Sequence, residues 1–227
     1  MKILSVDSSA KCASAAVTED GRIIHECFSD AGLTHSKTLL VMADDVLKNS
    51  GLTLNDIDGF AVNNGPGSFT GIRIGVSLIK GLAFTQNKLC AGVSTLESIA
   101  NNFLSDDCVV CACMDARCNQ VYTALFRCKD GKVERICDDA AISVDELKEK
   151  LLNTEGRIIL AGDGAEITYP KLGNIENLEI ADKARVYQRA SSVGIAAFNN
   201  NHFFKASKLV PSYLRLPQAE RELKNRR

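Results

Sequence analysis

Histidine is scarce in this chain. There are three in 227 residues, His25, His35 and His202, and none lies within metal-pair spacing of another. Two imidazoles converge on one ion only when they share a helix face or meet across a fold, so a helix-borne histidine pair is excluded. Charge of one sign is lacking too: 27 basic residues face 28 acidic ones, for a formal net charge of −1. That balance leaves no electrostatic footprint for independent nucleic-acid binding. Only the tail after Arg215 leans positive, with Arg221, Lys224, Arg226 and Arg227 against Glu220 and Glu222. No run is long and apolar enough to span a bilayer. The opening residues MKILSVDSS pass straight into a strand without the apolar stretch of a secretory leader, so a cytoplasmic location is expected. Repeated C-x2-C knuckles are also missing, although nine cysteines are present and Cys108, Cys111, Cys113 and Cys118 lie close together. Cys111 and Cys113 alternate with Val110, Ala112 and Met114 as in a strand, where reduced cysteine acts as a small hydrophobe. The odd count speaks against a disulfide framework.

What is present is an ordinary globular composition, 45% hydrophobic and 24% charged. The length suits one large domain or two lobes of about 100 residues, each able to bury a core. The most informative stretch is residues 59–85, GFAVNNGPGSFTGIRIGVSLIKGLAFT. It reads as a short apolar strand, a loop at Gly65, Pro66, Gly67 and Ser68, and a helix of about four turns capped by Ser68 or Thr70. Ile72, Val76, Ile79 and Ala83 repeat at helical spacing. Gly71, Gly75 and Gly81 each cost about 1 kcal/mol against alanine in a helix, which implies that something approaches closely. Gly71 and Gly75 form a smooth face on which another helix could sit.

Before that stretch, residues 3–7, 12–18 and 22–28 read as an antiparallel meander, and 34–50 as an amphipathic helix with Leu39, Leu40, Ala43, Val46 and Leu47 on one side. His35 near its start reads as a hydrogen-bonding or capping residue. Thr53 and Asp56 form a small capping box. After it come a strand at 88–93, a helix at 95–104 and a polar run at 105–107 that marks a lobe boundary. Strands at 108–114, 120–128 and 132–137, a helix at 143–152 opened by Ser143 and Glu146, a strand at 157–161 and a helix at 191–200 follow, then an irregular tail. The expected division is a first lobe over 1–104 and a smaller second lobe over 105–227, with the last helix free to pack back on the first.

Pro66 between glycines, then Phe69, Thr70, Gly71, Arg73 and Gly75, resembles the signature of the TsaB (YeaZ) family. Asp115, Ala116 and Arg117 with Val121 and Tyr122 match that family's DAR…VY element, and Pro211, Tyr213, Leu214 and Arg215 its terminal P-x-YLR. The resemblance runs from residue 3 to about 216. It implies an α/β fold of two lobes, the actin, sugar-kinase and Hsp70-like (ribonuclease-H-like) architecture with mixed sheets flanked by helices. It also implies a non-catalytic subunit that supports TsaD in transferring threonylcarbamoyl to adenosine 37 of tRNA, with TsaE in a ternary complex, a homodimer when alone, and tRNA reached only through the complex. TsaD's metal-binding histidine pair would fall on Thr95 and Ile99, neither of which offers an imidazole.

The surface implied for the partner comprises Leu39, Leu40, Ala43, Leu47, Pro66, Phe69, Gly71, Ile72, Arg73, Gly75 and Ile79. On this reading Gly75→Leu would abolish association and spare the fold. A vestigial nucleotide site would consist of Asp7, Ser8 and Ser9 in the first phosphate hairpin, Asp115 in the second and Gly162 and Gly164 in an adenosine loop. Asp115 is followed by Ala116 where a phosphate loop wants glycine. No cofactor is therefore expected on the chain alone, with ATP or ADP confined to the complex interface. The rival readings are an ATP-dependent small-molecule kinase using Asp7 and Asp115 and, more weakly, a glycopeptidase-like protease, for which no nucleophile and base are in evidence.

Overall fold

The computed structural model describes residues 1–215. The basic tail singled out above lies outside the described residues. Strands β1 (Lys2–Asp7), β2 (Ala13–Glu19) and β3 (Arg22–Ser29) form the antiparallel meander, followed by helix α1 (His35–Asn49), β4 (Gly59–Gly65), α2 (Phe69–Thr85), β5 (Leu89–Ser94) and the short α3 (Thr95–Asn101). The chain then continues through β6 (Cys108–Asp115), β7 (Gln120–Lys129), β8 (Lys132–Arg135), β9 (Ala140–Ser143), α4 (Val144–Leu152), β10 (Ile158–Ala161), α5 (Ala165–Leu172), β11 (Leu178–Ile180) and α6 (Ala190–Asn200).

Two sheets result. The first runs β3-β2-β1-β4-β5, with β4 parallel to β1 from Ile3↔Gly59 to Val6↔Val62 and β5 parallel to β4. The second runs β11-β10-β6-β7-β8, with β9 pairing on β7. Continuous burial along β1, β4 and β6 follows from their being covered on both faces. On one face of the first sheet α1 and α2 bury Leu39, Val46, Ile72 and Ile79 against Leu4, Phe60 and Val62. On the other, Val193, Ala196 and Ala197 of α6 close on Ile3, Ala61 and Val93. The largest core gathers around the second sheet, where Leu96, Ile99 and Phe103 meet Phe126 and the β6 strand.

Caps form where side chains offer oxygen to free helix amides. Ser68 Oγ accepts from the Gly71 amide at 3.3 Å, and Ser143 and Glu146 exchange bonds at 3.2 and 2.8 Å. The Thr53–Asp56 box opens a single 3-10 turn. Three elements go beyond the sequence reading: β9, α5 and β11. Helix α5 carries Pro170 inside it and β11 has three residues, so neither has a helical or alternating pattern to announce it. Cys111 and Cys113 lie fully buried on β6, Cys118 is exposed on the β6–β7 hairpin, and all nine cysteines are free thiols. Among the described residues no three acidic, histidine or cysteine side chains converge as a metal site, and no helix is long and apolar enough to cross a membrane.

Candidate functional site

Two concave features flank the start of α2. The first is a cleft of about 550 Å³ between the ends of the two sheets, lined by Ser9 to Lys11, Pro66 to Thr70, Asp115 to Arg117, Asp163 and residues 212–215. Asp7, at the end of β1, is fully buried and accepts from Asn63 Nδ2 at 2.7 Å and the Ser9 amide at 3.2 Å, while its Oδ2 has no partner. Burial pushes the Asp7 carboxyl up, opposed by the bonds from Ser9 and Asn63. Ser8 Oγ donates to the Gly71 carbonyl at 2.9 Å, and the Ser68 amide donates to the Ser9 carbonyl at 2.7 Å. The hairpin resembling a phosphate loop is thus bound to α2 of its own chain.

Gly162 and Gly164 serve packing of the same kind. Gly162 has φ +115°, and a Cβ on it would stand 2.1 Å from the Cys113 carbonyl oxygen; one on Gly164 would stand 2.7 Å from the Asp115 amide. Both glycines thus pack closely against β6, and their amides donate within the chain, Gly162 to the Val186 carbonyl at 2.7 Å and Gly164 to the Cys113 carbonyl at 3.1 Å. Between them Asp163 holds an unpartnered, buried Oδ1, and burial first, then the charge of Asp115, pushes its carboxyl up to about 6. A carboxyl raised in the folded state contributes stability that is fully present below its unfolded value and is lost as pH rises through the folded one. Asp163→Asn is therefore expected to raise Tm by about 5 °C at pH 7.5, with the gap from wild type closing toward pH 4. Thermal melts across that range check it; a pH-independent gap would contradict it.

The second feature is a groove of about 570 Å³ between α1 and α2, with Leu39, Leu40, Phe69, Ile74 and Leu78 as its apolar lining and His35, Arg73 and Ser77 at its rim. Leu40 is 57% and Val41 56% exposed, so the apolar surface continues onto the outer side of α1. His35 is fixed here by Nε2, 2.7 Å from the Ala10 carbonyl. Arg73 lies over the Phe69 ring at 3.8 Å and donates from Nε to the Tyr213 hydroxyl at 2.9 Å. Phe69 and Tyr213 stack with centroids 4.8 Å apart.

A protein-family model described as "TsaD: tRNA N6-adenosine threonylcarbamoyltransferase" matches residues 29–222. The chain is 28% identical to the Bacillus subtilis tRNA threonylcarbamoyladenosine biosynthesis protein TsaB, over 97% of this chain and 96% of that one. It is 32% identical to the Escherichia coli protein of the same name, over 80% of this chain and 79% of its relative. The chain belongs to the TsaB (YeaZ) family. Among solved structures, YeaZ from Pseudomonas aeruginosa superposes with a TM-score of 0.77 at 22% identity, covering 94% of this chain and 99% of that one. Together with the two packed sheets, this likeness establishes the α/β actin-like architecture.

As a TsaB, the chain departs from its expected partner surface in one respect. Leu39, Ala43, Leu47, Pro66, Gly71, Ile72, Gly75 and Ile79 are buried within their own lobe or loop. Of the expected set, Leu40, Phe69 and Arg73 reach the surface, and Leu39, though almost fully buried, forms part of the groove's lining. The glycines are small for an internal reason: a Cβ on Gly71 would stand 2.0 Å from the Ser8 carbonyl oxygen, and one on Gly75 2.7 Å from Ser8 Oγ and 3.1 Å from Val62. Gly75→Leu would thus disrupt the fold itself, contrary to the expectation that it spares it. Sequence reasoning passed over Ile74 and Leu78, although with Leu82 they make a second apolar stripe at four-residue spacing beside the buried one. Thr95 and Ile99, where the resemblance would put TsaD's histidines, are both wholly buried, Ile99 in the core around the second sheet.

Proposed function

We propose that this chain is a non-catalytic partner of TsaD in tRNA threonylcarbamoyladenosine formation, and that it acts by docking through the α1–α2 groove. The observation that carries this reading is an unpartnered apolar groove, with Leu40 and Val41 largely exposed, beside a cleft whose phosphate-loop hairpin is bound to its own helix. Because a TsaD family model spans most of this chain, TsaD carries the same pair of helices, and like surfaces can pair about a pseudo-two-fold axis. The same geometry would join two copies of this chain when TsaD is absent. TsaE and tRNA would then be engaged through the complex, and no nucleotide would be held by this chain alone.

The kinase reading draws less support. It needs backbone amides free to wrap phosphate, and here the amides of Gly162, Gly164 and Ser9 already donate to the Val186 carbonyl, the Cys113 carbonyl and the Asp7 carboxylate of their own chain. Reconstitution tests the proposal. TsaD, TsaE, L-threonylcarbamoyl-adenylate and tRNA are mixed with this protein, and each is left out in turn. Modified adenosine should form in the full mixture and fall at least tenfold when this protein is omitted; undiminished modification without it would refute the reading. Saturable ATP turnover by the purified chain, lost in Asp7→Asn, would establish the rival.

A further inference from the structure

We infer that residues 209–215 form a clasp that transmits docking on the α1–α2 groove to the cleft between the ends of the two sheets. This rests on the proposed docking and adds a response of the cleft to it. Two strings flagged in the sequence, DAR at 115–117 and P-x-YLR at 211–215, meet here: Arg215 Nη1 donates to the Ala116 carbonyl at 2.8 Å.

The clasp is anchored firmly on the first lobe. Lys80 Nζ donates to the Leu209 carbonyl at 3.0 Å, Asn64 Nδ2 to the Val210 carbonyl at 3.1 Å, and the Ser212 amide to the Asn64 carbonyl at 2.7 Å. Gly65, at φ +134°, lets the strap lie so close that a Cβ there would be 2.0 Å from the Ser212 carbonyl oxygen. From this anchor the strap runs along the cleft, with residues 212–215 among its lining. Arg215 then ties it to the β6–β7 hairpin, which belongs to the second sheet.

The other end of the device faces the groove. Phe69 and Thr70 line both the cleft and the groove, and Tyr213 is held by stacking on Phe69 and by the hydrogen bond from Arg73. Arg73 is exposed and Tyr213 is 39% exposed, so in the free chain this triad works against water. An occupant of the groove would cover Arg73 and Phe69, and excluding water strengthens the bonds they already make. Docking would therefore steady Tyr213, and through Arg215 hold the hairpin against the first lobe. By linkage, the closed clasp must favour docking by the same factor.

Amide hydrogen exchange on the full chain, alone and with TsaD, tests this. The reporters are the amides of residues 115–120, where Ala116 donates to the Gln120 carbonyl at 3.1 Å and Gln120 to the Arg117 carbonyl at 3.2 Å. In the free chain, Arg215→Ala and Tyr213→Ala should each speed exchange at 115–120 about fivefold. Adding TsaD should slow it by a similar factor in wild type but not in Tyr213→Ala. If TsaD protects α1 and α2 while 115–120 keep their free rate, the clasp is refuted and the docking stands. If α1 and α2 gain no protection, the docking reading fails and the transmission with it. Unchanged exchange in both variants would refute the clasp on its own.

Discussion

Gly71→Ala is expected to destabilise the protein by about 3–5 kcal/mol, an unusually large effect for adding one methyl group. In an ordinary exposed helix the same change stabilises by about 1 kcal/mol, because alanine loses less conformational freedom than glycine. The sign reverses here because a Cβ would stand 2.0 Å from the Ser8 carbonyl oxygen and 3.3 Å from Ser68 Cβ. The first of these is backbone, and it cannot swing aside. Relief requires α2 to lift from the β1–β2 hairpin, which would break the bond from Ser8 Oγ to the Gly71 carbonyl and loosen Ile72 and Val76 from the core. Gly81 supplies the control. Nothing lies within 4 Å of a Cβ there, so Gly81→Ala should gain the ordinary helix increment. Urea unfolding of the two variants decides it; equal stabilisation by both would show that α2 does not pack on the hairpin as described.

The second large effect concerns association. Leu40→Glu and Leu78→Glu are each expected to weaken binding to TsaD at least 100-fold, about 3 kcal/mol. A carboxylate pressed into an apolar groove must lose its water without gaining a partner. Leu40 is 57% exposed in the free chain, so its replacement should move Tm by no more than about 2 °C. Ile167, 49% exposed on α5 of the second sheet, is the matching control, and Ile167→Glu should bind as wild type. Calorimetric titration with TsaD reads all three. Weakening by Ile167→Glu with Leu40→Glu unaffected would place the interface on the wrong lobe.

These two predictions pull apart what the sequence left joined. A glycine at helical spacing shows that something approaches closely, without saying whether the visitor is the chain itself or another molecule. Gly71 and Gly75 have the same small-residue spacing in either case, and only the position of the Ser8 carbonyl decides between them. Apolar periodicity has a related blind spot. A helix lying on a sheet and also meeting a partner carries two stripes, and the more regular one, Ile72, Val76, Ile79 and Ala83, drew the reading away from Ile74 and Leu78. Elements with strong local determinants were legible: the β1–β3 meander, the Ser143–Glu146 capping box and the Gly65–Ser68 turn into α2. Helix α5 was not, because Pro170 interrupts its pattern, and β11 is held by three pairings to β10 and not by its own propensity. The meeting of Arg215 with Ala116 joins residues 99 positions apart and leaves no trace in local spacing.

The proposed role gives this chain a surface and no chemistry. The most direct test replaces Asp7 and Asp115, the two carboxylates a phosphotransferase of this fold would need, with asparagine in one protein and measures modified adenosine formed with TsaD, TsaE, L-threonylcarbamoyl-adenylate and tRNA. Formation within twofold of wild type is predicted. A tenfold or greater loss in a double variant that still binds TsaD normally would contradict the account.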